Sequence, residues 1–599
     1  MAIDGIILAA VKEEMQQLLG CRITKIYQPG KRDIVVHCRR PGSGWAVVLS
    51  ADPQNPRVFL AEDVPVNPPS PPSFCMLLRK YLEGGKILKV EQPDLERILE
   101  VTVENTGCGG EPAHYRLIAE TMGRHSNIIL LDAAGQVLDA VVRIDSQVNR
   151  YREIVPGAIY IPPPDQVKLS LLALDWPSFL DRMAPASPKA LLSTLIRDSF
   201  TGIGPRTAEE LVQRAGFDLD AVRQDVGQDG LKGLYLALEQ LADRIKERRF
   251  APRVLLDARG EPCGVSAFQP ASPSAAAWEF TSISRALETY YASKLARQET
   301  ANLRRNLIQV VEKHQGRLAK KLKAQAAELA AAEDADTYRI YGELLTASLY
   351  QLKRGMQSVT VENFYDPDLK RVTIPLDHRL TPSENAQAYF RRYTKAKKTL
   401  AEGAYHYQRS LDEQEYLEQV RTSLELAADA ADLSEIQREL IEEGYIRPTR
   451  SLKEKRPKDS KSTRPQPFRF RSSDGLEILV GRNNRQNEYV TFRAGSPNDI
   501  WLHVKDMAGS HVIIKTQGTE LPPATLEEAA LLAAYYSKGR TGRNVAVDYT
   551  FRKHVRKPRG AKPGMVIYDH QRTLFVSPLA EVIKPLLARQ TEAASGGGR

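Results

Sequence analysis

Cysteine is scarce in this chain. The five residues Cys21, Cys38, Cys75, Cys108 and Cys263 form an odd set, with no Cys-x-x-Cys pair and no histidine at zinc-finger spacing. A disulfide framework and a zinc ribbon are excluded, and reduced thiols in a cytosolic protein are expected. Long apolar runs are missing too, so no segment reads as a membrane span. Charge interrupts the apolar positions of Met1 to Glu14, and no basic stretch precedes them. That segment reads as an amphipathic helix rather than a secretion signal. There is no Walker A loop, dinucleotide fingerprint, Gly-x-Ser-x-Gly or His-Glu-x-x-His, and no nucleophile has a local partner. Hence no catalytic residue, cofactor, metal site or small-molecule substrate is expected, and the chain is not read as an enzyme.

What is present is a folded, multidomain chain. Hydrophobic residues make up 42% of 599 positions, which suits several cores. Lys and Arg number 84 against 74 Asp and Glu, a net charge of +10. So mild an excess matters only where it is concentrated.

The pattern predicts a multidomain α+β protein. Residues 1–168 alternate strand-like runs (Ile34–Cys38, Trp45–Leu49, Ile98–Val103, Asn127–Leu131) with Pro/Gly turns, giving an N-terminal α+β sheet domain. Residues 169–278 turn helical, with segments at Lys189–Arg197 and Ala208–Ala215 around Gly202-Ile203-Gly204, a helix-hairpin-helix pattern. Residues 279–446 carry a heptad seam, Ile308, Val311, Gln315, Leu318, Leu322, Gln325 and Leu329. A return arm holds Tyr389, Tyr393, Ala396, Leu400, Leu417, Val420 and Leu424. Between the arms lie a short helix and a hairpin, so a long antiparallel coiled coil with a small globular tip is expected, a compact helical bundle being the other reading. Residues 447–465 are a basic linker, with seven basic and two acidic residues in Arg450–Arg464. Residues 466–590 read as a C-terminal α+β domain, and 591–599 as a flexible tail.

Several segments suit nucleic acid. Glycines at 202 and 204 allow a tight turn whose following helix N-terminus offers amides to a phosphate; an ordinary turn between helices is the other reading. Glu120 to Asn127 sets Gly123 between polar residues before a strand, equally a phosphate-contacting loop or a turn that bonds its own backbone. Glu96 beside Arg97 can orient a guanidinium or form a surface ion pair. In the last domain, Arg482-Asn483-Asn484 opens an amide-rich turn suited to phosphates or base edges. Trp501 and His503 alternate on a strand as an aromatic stacking platform, and Gly509-Ser510-His511 turns into the next strand. Arg552, Lys553, Arg556, Lys557, Arg559 and Lys562 fall within twelve residues that contain no acid. That density favours RNA contact over a merely solvated face.

These residues resemble the NFACT family along nearly the whole chain. Glu120-x-Met-Gly-Arg-His-Ser-Asn is similar to the signature of its N-terminal domain. Tyr341-Gly-Glu-Leu-Leu, Leu376-Asp and Asn385-Ala-Gln-x-Tyr-Phe are similar to its middle module. Gly481-Arg-Asn-Asn-x-Gln-Asn, Asp499-x-Trp-x-His and Gly509-Ser-His-Val are similar to its RNA-binding domain. The resemblance implies a cytoplasmic factor of ribosome-associated quality control. Such a factor binds large (50S) subunits obstructed by peptidyl-tRNA, contacting rRNA and stalk-base proteins. It recruits tRNA, tRNA-Ala in bacteria, and directs alanine tailing without mRNA, helped by the small RNA-binding protein RqcP. The same resemblance makes Glu96, Arg97, Glu120, Met122, Gly123, Arg124 and His125 the tRNA candidates. Two positions depart from the family pattern. Glu96 stands where an aspartate is usual, and Ala508 stands where a proline precedes Gly-Ser-His.

Two other classes are weaker. A fibronectin-binding adhesin, suggested by an old family name, would need export. A DNA glycosylase of the formamidopyrimidine type would need an N-terminal proline amine, where this chain has Met1-Ala2-Ile3-Asp4.

Overall fold

The structure is a computed structural model. It describes the chain except residues 1–2, 66, 69, 107–109, 165, 272–275, 448–464, 517–518 and 592–599. Cys108, the basic stretch Arg450–Arg464 and nearly all of the tail lie outside the described residues. The chain divides into two compact units, Met1–Arg297 and Gln298–Arg599.

The first unit opens with α1 (Gly5–Met15), capped by Asp4, whose carboxylate accepts from the Ile7 N–H at 2.8 Å. Gly5 to Val11 are all buried. The helix is therefore enclosed on every side over two turns, and the amphipathic expectation fails there. Its charges, Lys12 to Glu14, sit in the last turn. Nine antiparallel strands form one sheet: β1 (Arg22–Gly30), β2 (Asp33–Arg40), β3 (Ser43–Ser50), β4 (Arg57–Ala61), β5 (Lys86–Glu91), β6 (Ile98–Thr106), β7 (Pro112–Glu120), β8 (Asn127–Leu131) and β9 (Val137–Ala140). Their order is β4-β3-β2-β1-β5-β6-β7-β8-β9, two meanders joined where β1 meets β5. The crossing helix α2 (Ser73–Leu82) buries Phe74, Cys75, Leu78 and Leu82, a single apolar stripe.

Four helices follow, α3 (Trp176–Met183), α4 (Leu192–Ser199), α5 (Pro205–Arg214) and α6 (Gln228–Lys246). Their buried residues, Phe179, Phe200, Leu211 and Leu238 among them, join the same core as α1 and α2. A three-stranded sheet then appears where only helix is expected: β10 (Arg253–Leu256), β11 (Pro262–Ser266) and β12 (Ala277–Glu279). Strands of three to five residues are too short to leave a period-two pattern. The 50-residue helix α7 (Ile283–Ala332) starts in this unit.

In the second unit the later turns of α7 run antiparallel to the 45-residue helix α9 (Pro382–Leu426), which is about 68 Å long at 1.5 Å per residue. Gln315 donates to Glu418 at 3.1 Å, and Arg421 pairs with Glu312 at 3.6 Å. Leu307, Val311, Leu318 and Leu322 pack with Tyr416, Leu417, Val420 and Leu424. Between these helices lie α8 (Ala335–Ala347) and the hairpin β13 (Ser358–Glu362) with β14 (Arg371–Pro375), packed around Leu344, Leu345, Ile374 and Tyr389. Buried Asn385 both accepts from the Asp377 N–H at 2.8 Å and donates to the Asp377 carbonyl at 3.1 Å. This pair of hydrogen bonds accounts for the pairing of Leu376-Asp with Asn385 in the sequence.

After α10 (Ala430–Glu442) comes the C-terminal sheet. Its strands are β15 (Phe468–Arg471), β16 (Glu477–Val480), β17 (Ile500–Val504), β18 (Val512–Lys515), β19 (Val545–Phe551), β22 (Arg572–Val576) and β23 (Gln590–Thr591), with the ribbon β20 (Val555–Arg556) and β21 (Ile567–Tyr568) beside them. The order is β22-β19-β17-β18-β16-β15-β23. Three helices complete it: α11 (Asn484–Tyr489), α12 (Pro523–Tyr535) and α13 (Ala580–Leu587). Ala529 to Ala534 of α12 are buried against the sheet.

Candidate nucleic-acid interface

In the first unit the tRNA candidates meet at one end of the β6–β7 pair. Ile98 lies opposite Glu120 in register, and the Thr121 N–H donates to the Arg97 carbonyl at 2.9 Å. Arg97 and the loop Met122–His125 are thereby neighbours, although 25 residues separate them in sequence. Gly123 adopts φ 61°, a left-handed turn that favours glycine. It leaves Arg124 and His125 exposed, with the Arg124 Nε donating to the His125 Nε2 at 3.0 Å. Arg97 and Glu96 are half-buried and line a cavity of about 580 Å³, together with Lys168, Arg197 and Arg206. Arg97 and Glu96 form no ion pair with each other, so the guanidinium is not held by its neighbour. Lys168 is a cation the sequence reading missed. Burial, with Arg97 close by, holds its amine below the ordinary lysine range.

Glu120 is corrected. Its side chain is buried, accepting from Arg152 at 2.9 Å and from the Tyr160 hydroxyl at 2.9 Å. A carboxylate enclosed by these two donors anchors the loop and is closed to RNA.

The hairpin glycines are corrected as well. Gly202 and Gly204 do open α5, but the amide expected to face a phosphate faces Asp4. The buried carboxylate of Asp4 accepts from Gly204 N–H and from the Thr207 hydroxyl at 2.6 Å. Burial pushes its pKa up. A Cβ on Gly202 would stand 2.7 Å from Leu95 Cβ, and one on Gly204 2.8 Å from Asp4 Cβ. Both glycines serve close packing against α1 and the Asp94–Leu95 turn, whose positive φ values of 30° and 58° that packing sustains.

In the second unit the amide-rich turn is occupied. Arg482 pairs with Asp432 at 2.6 Å and with Asp429 at 3.3 Å. Asn483 and Gln486 donate to Glu435 at 2.8 and 2.7 Å, Asn484 donates to Glu439 at 3.0 Å, and Arg485 pairs with Glu442. These carboxylates recur every three or four residues along one face of α10. Donors that suit a phosphate suit a carboxylate equally, and here the helix has them. Asn487 turns inward instead, accepting from the His511 N–H at 3.0 Å and donating to the Gly509 carbonyl at 3.3 Å. Gly509, Ser510 and His511 are thus internal: Ser510 and His511 are buried, and a Cβ on Gly509 would stand 2.7 Å from Ser537 Cβ.

The stacking platform is also overturned. Trp501 is 0% exposed and packs with Leu479, Val490, Ile513 and Val555. His503 stacks on it with centroids 5.8 Å apart, and burial pushes the imidazole down to about 4. Trp501 has no face to offer a base, and Trp501 itself takes one face of His503. An exposed aromatic beside the basic segment is one the sequence reading missed: Phe551 at the end of β19, 45% exposed with Lys553 4.9 Å from its ring centre.

Within the basic segment the cations divide. Arg552 donates to the Thr491 carbonyl at 2.8 Å, Lys557 pairs with Glu488 at 2.7 Å and Lys562 with Glu443 at 3.2 Å. Lys553 and Arg559 are exposed and outside the ion pairs of the described residues. Arg556 reaches only Asp569, at 3.5 Å. Asp569 also gathers His554 and His570, the one group among the described residues with ligand atoms close enough for a metal ion.

Two α+β units, one ending in an RNA-binding module, define the class of protein. A family model described as NFACT N-terminal and middle domains matches residues 4–459, and one described as NFACT protein RNA binding domain matches 466–569. The chain belongs to the NFACT family. It is 39% identical over 585 residues to the Rqc2 homolog RqcH of Bacillus subtilis (strain 168), covering 97% of this chain and 99% of that one. It is 28% identical over 164 residues to ribosome quality control complex subunit 2 of Saccharomyces cerevisiae, covering 26% of this chain and 14% of that one. Among solved structures, the C-terminal part of the fibronectin/fibrinogen-binding protein from Streptococcus suis is 34% identical, covering 48% of this chain and 98% of that one, with a TM-score of 0.38. Among the described residues no helix is long and apolar enough to cross a membrane.

Proposed function

We propose that this chain is a cytoplasmic ribosome-associated quality-control factor. It binds large subunits obstructed by peptidyl-tRNA, recruits tRNA, with tRNA-Ala as the expected species, and directs C-terminal alanine tailing of the stalled chain without mRNA. The peptide bond is left to the ribosome. Near-complete alignment with RqcH supports the role. One observation carries the site: Arg97, free of Glu96, lies beside the glycine-turned loop that exposes Arg124 and His125. Fixed cations beside a cavity hold a phosphate backbone, while bond-making chemistry stays elsewhere. The modules are read as an N-terminal domain over 1–168, a helix-hairpin-helix domain over 169–278, a coiled-coil rod over 279–446 and an RNA-binding domain over 466–590. The rod reaches stalk-base proteins, and RqcP assists.

The test is cosedimentation with 50S subunits and tailing of a stalled reporter, comparing wild type with the Arg97→Ala/Arg124→Ala double variant. Loss of tRNA recruitment and tailing, with unfolding curves unchanged, is expected. Full tailing by the double variant would remove this site assignment.

A further inference from the structure

We propose that the outer face of β1 and β2 is a second RNA-contact surface of the first unit, gripping the sugar–phosphate backbone of a double-helical RNA stem through Arg22, Lys25 and Arg39. The inference rests on the reading that this chain handles structured RNA, and it adds a surface outside the Arg97 cavity.

The strand register makes the surface. Arg22 lies opposite Arg39 and Lys25 opposite His37, so these side chains project on one side, while Ile23, Ile26 and Cys38 are buried on the other. Arg22, Lys25 and Arg39 are exposed, and none of them has an ion pair among the described residues. The groove beside them has a volume of about 910 Å³. Its one acid, Glu62, already pairs with Arg285 at 2.8 Å. Like charges held together without counter-charges are unfavourable unless something anionic covers them. Three residues along β1 span about 10 Å, enough to reach more than one phosphate of a single strand, which in double-stranded DNA places a charge about every 3.4 Å of axis.

The aromatic rings nearby decide what kind of RNA fits. Tyr27 has Arg79 5.5 Å from its ring centre and meets His37 edge-on. Trp45 has Arg40 at 5.0 Å, and its indole N–H donates to Gln17 at 2.9 Å. Neither ring is free for a base to stack on, so single strands gain little here and a duplex backbone gains fully. Burial, with Lys25 beside it, holds His37 below the usual imidazole value. The grip therefore comes from Arg22, Lys25 and Arg39 and is insensitive to pH near neutrality.

The experiment measures binding of the full chain to a 20-base-pair RNA hairpin and to single-stranded RNA of the same length, across a salt series. The variant is Arg22→Ala/Lys25→Ala/Arg39→Ala, with Arg39→Lys as the charge-keeping control. At low salt, hairpin affinity should fall at least about tenfold in the triple variant. The slope of log affinity against log salt should shrink by about 2.7 units, roughly 0.9 for each of three phosphates. Single-strand binding and the unfolding curve should stay as in wild type, and Arg39→Lys should bind like wild type. Unchanged hairpin affinity and slope in the triple variant would overturn the surface while leaving the proposed function standing. Equal losses for both RNAs would overturn the duplex assignment. Failure of wild type to bind any RNA would overturn the functional reading itself.

Discussion

The guanidinium of Arg482 lies 2.6 Å from the carboxylate of Asp432, and the two side chains are 16% and 4% exposed. This pair heads a row of donors on α11 and its leading turn that meets Asp429, the cap of α10, and Asp432, Glu435, Glu439 and Glu442 along it. The most RNA-like stretch of the sequence is thus the fastening of the RNA-binding domain to α10. Truncating one partner of a pair so enclosed leaves the other charge buried, which costs about 3–5 kcal/mol. Asp432→Ala should lower unfolding stability by that amount in denaturant titration, while RNA affinity of the folded protein stays unchanged. A loss under about 1 kcal/mol, the worth of an exposed ion pair, would rule this fastening out.

Glu439 makes the same contact sensitive to pH. Burial raises its carboxyl to about 7, against the efforts of Asn484 and Tyr416, which both donate to it. The folded state therefore holds this proton at pH values where the unfolded chain, near 4.5, has released it. Stability from this group is greatest below about pH 4.5 and falls as pH rises toward 7, by on the order of 3 kcal/mol. Glu439→Gln should remove that component. Unfolding curves at pH 5, 6, 7 and 8 should show a steeper decline in wild type than in the variant; parallel declines would contradict the assignment.

Glu120 should behave as a structural residue. Glu120→Ala strands Arg152 without its carboxylate, and a cost of about 3–5 kcal/mol is expected. Arg124→Ala, at an exposed position of the same loop, should cost under about 0.5 kcal/mol and act on tRNA recruitment. Thermal unfolding of the two single variants separates these roles.

Aromatic contact with RNA should map to Phe551 and not to Trp501. Phe551→Ala is expected to weaken single-stranded RNA binding by about 1–3 kcal/mol, the worth of one stacked base, with stability nearly unchanged. Trp501→Ala should cost about 3–5 kcal/mol of stability. Fluorescence anisotropy with a labelled oligonucleotide, alongside urea titration, distinguishes the two. An unaltered affinity for Phe551→Ala would withdraw that ring from the interface.

Burial is what separates the legible part of the site from the rest. The turn at Gly123 and the exposure of Arg124 were readable because a glycine beside cations in a turn ahead of a strand is a local pattern. Glu120, in the same motif, looked equally polar, yet Arg152 and Tyr160 come to it from 32 and 40 residues away. Trp501 and His503 alternate as any half-buried strand would. Val490, after α11, and the ribbon of Val555 and Tyr568, folding back against Trp501, cover that face. Lys168 and Phe551 stand in no recognisable motif at all; a cavity and an exposed strand end give them meaning.

By itself the sequence determined most of the helical and strand periods, the antiparallel return of α9 along α7 and the family signatures, because each depends on residues close in sequence or repeating regularly. The tertiary structure alone decided which polar groups remain available for RNA. A donor is open to a phosphate only when no carboxylate of the chain reaches it first. Asp4, Asp432, Glu435 and Glu439 reach theirs from far along the chain, at distances that only folding sets.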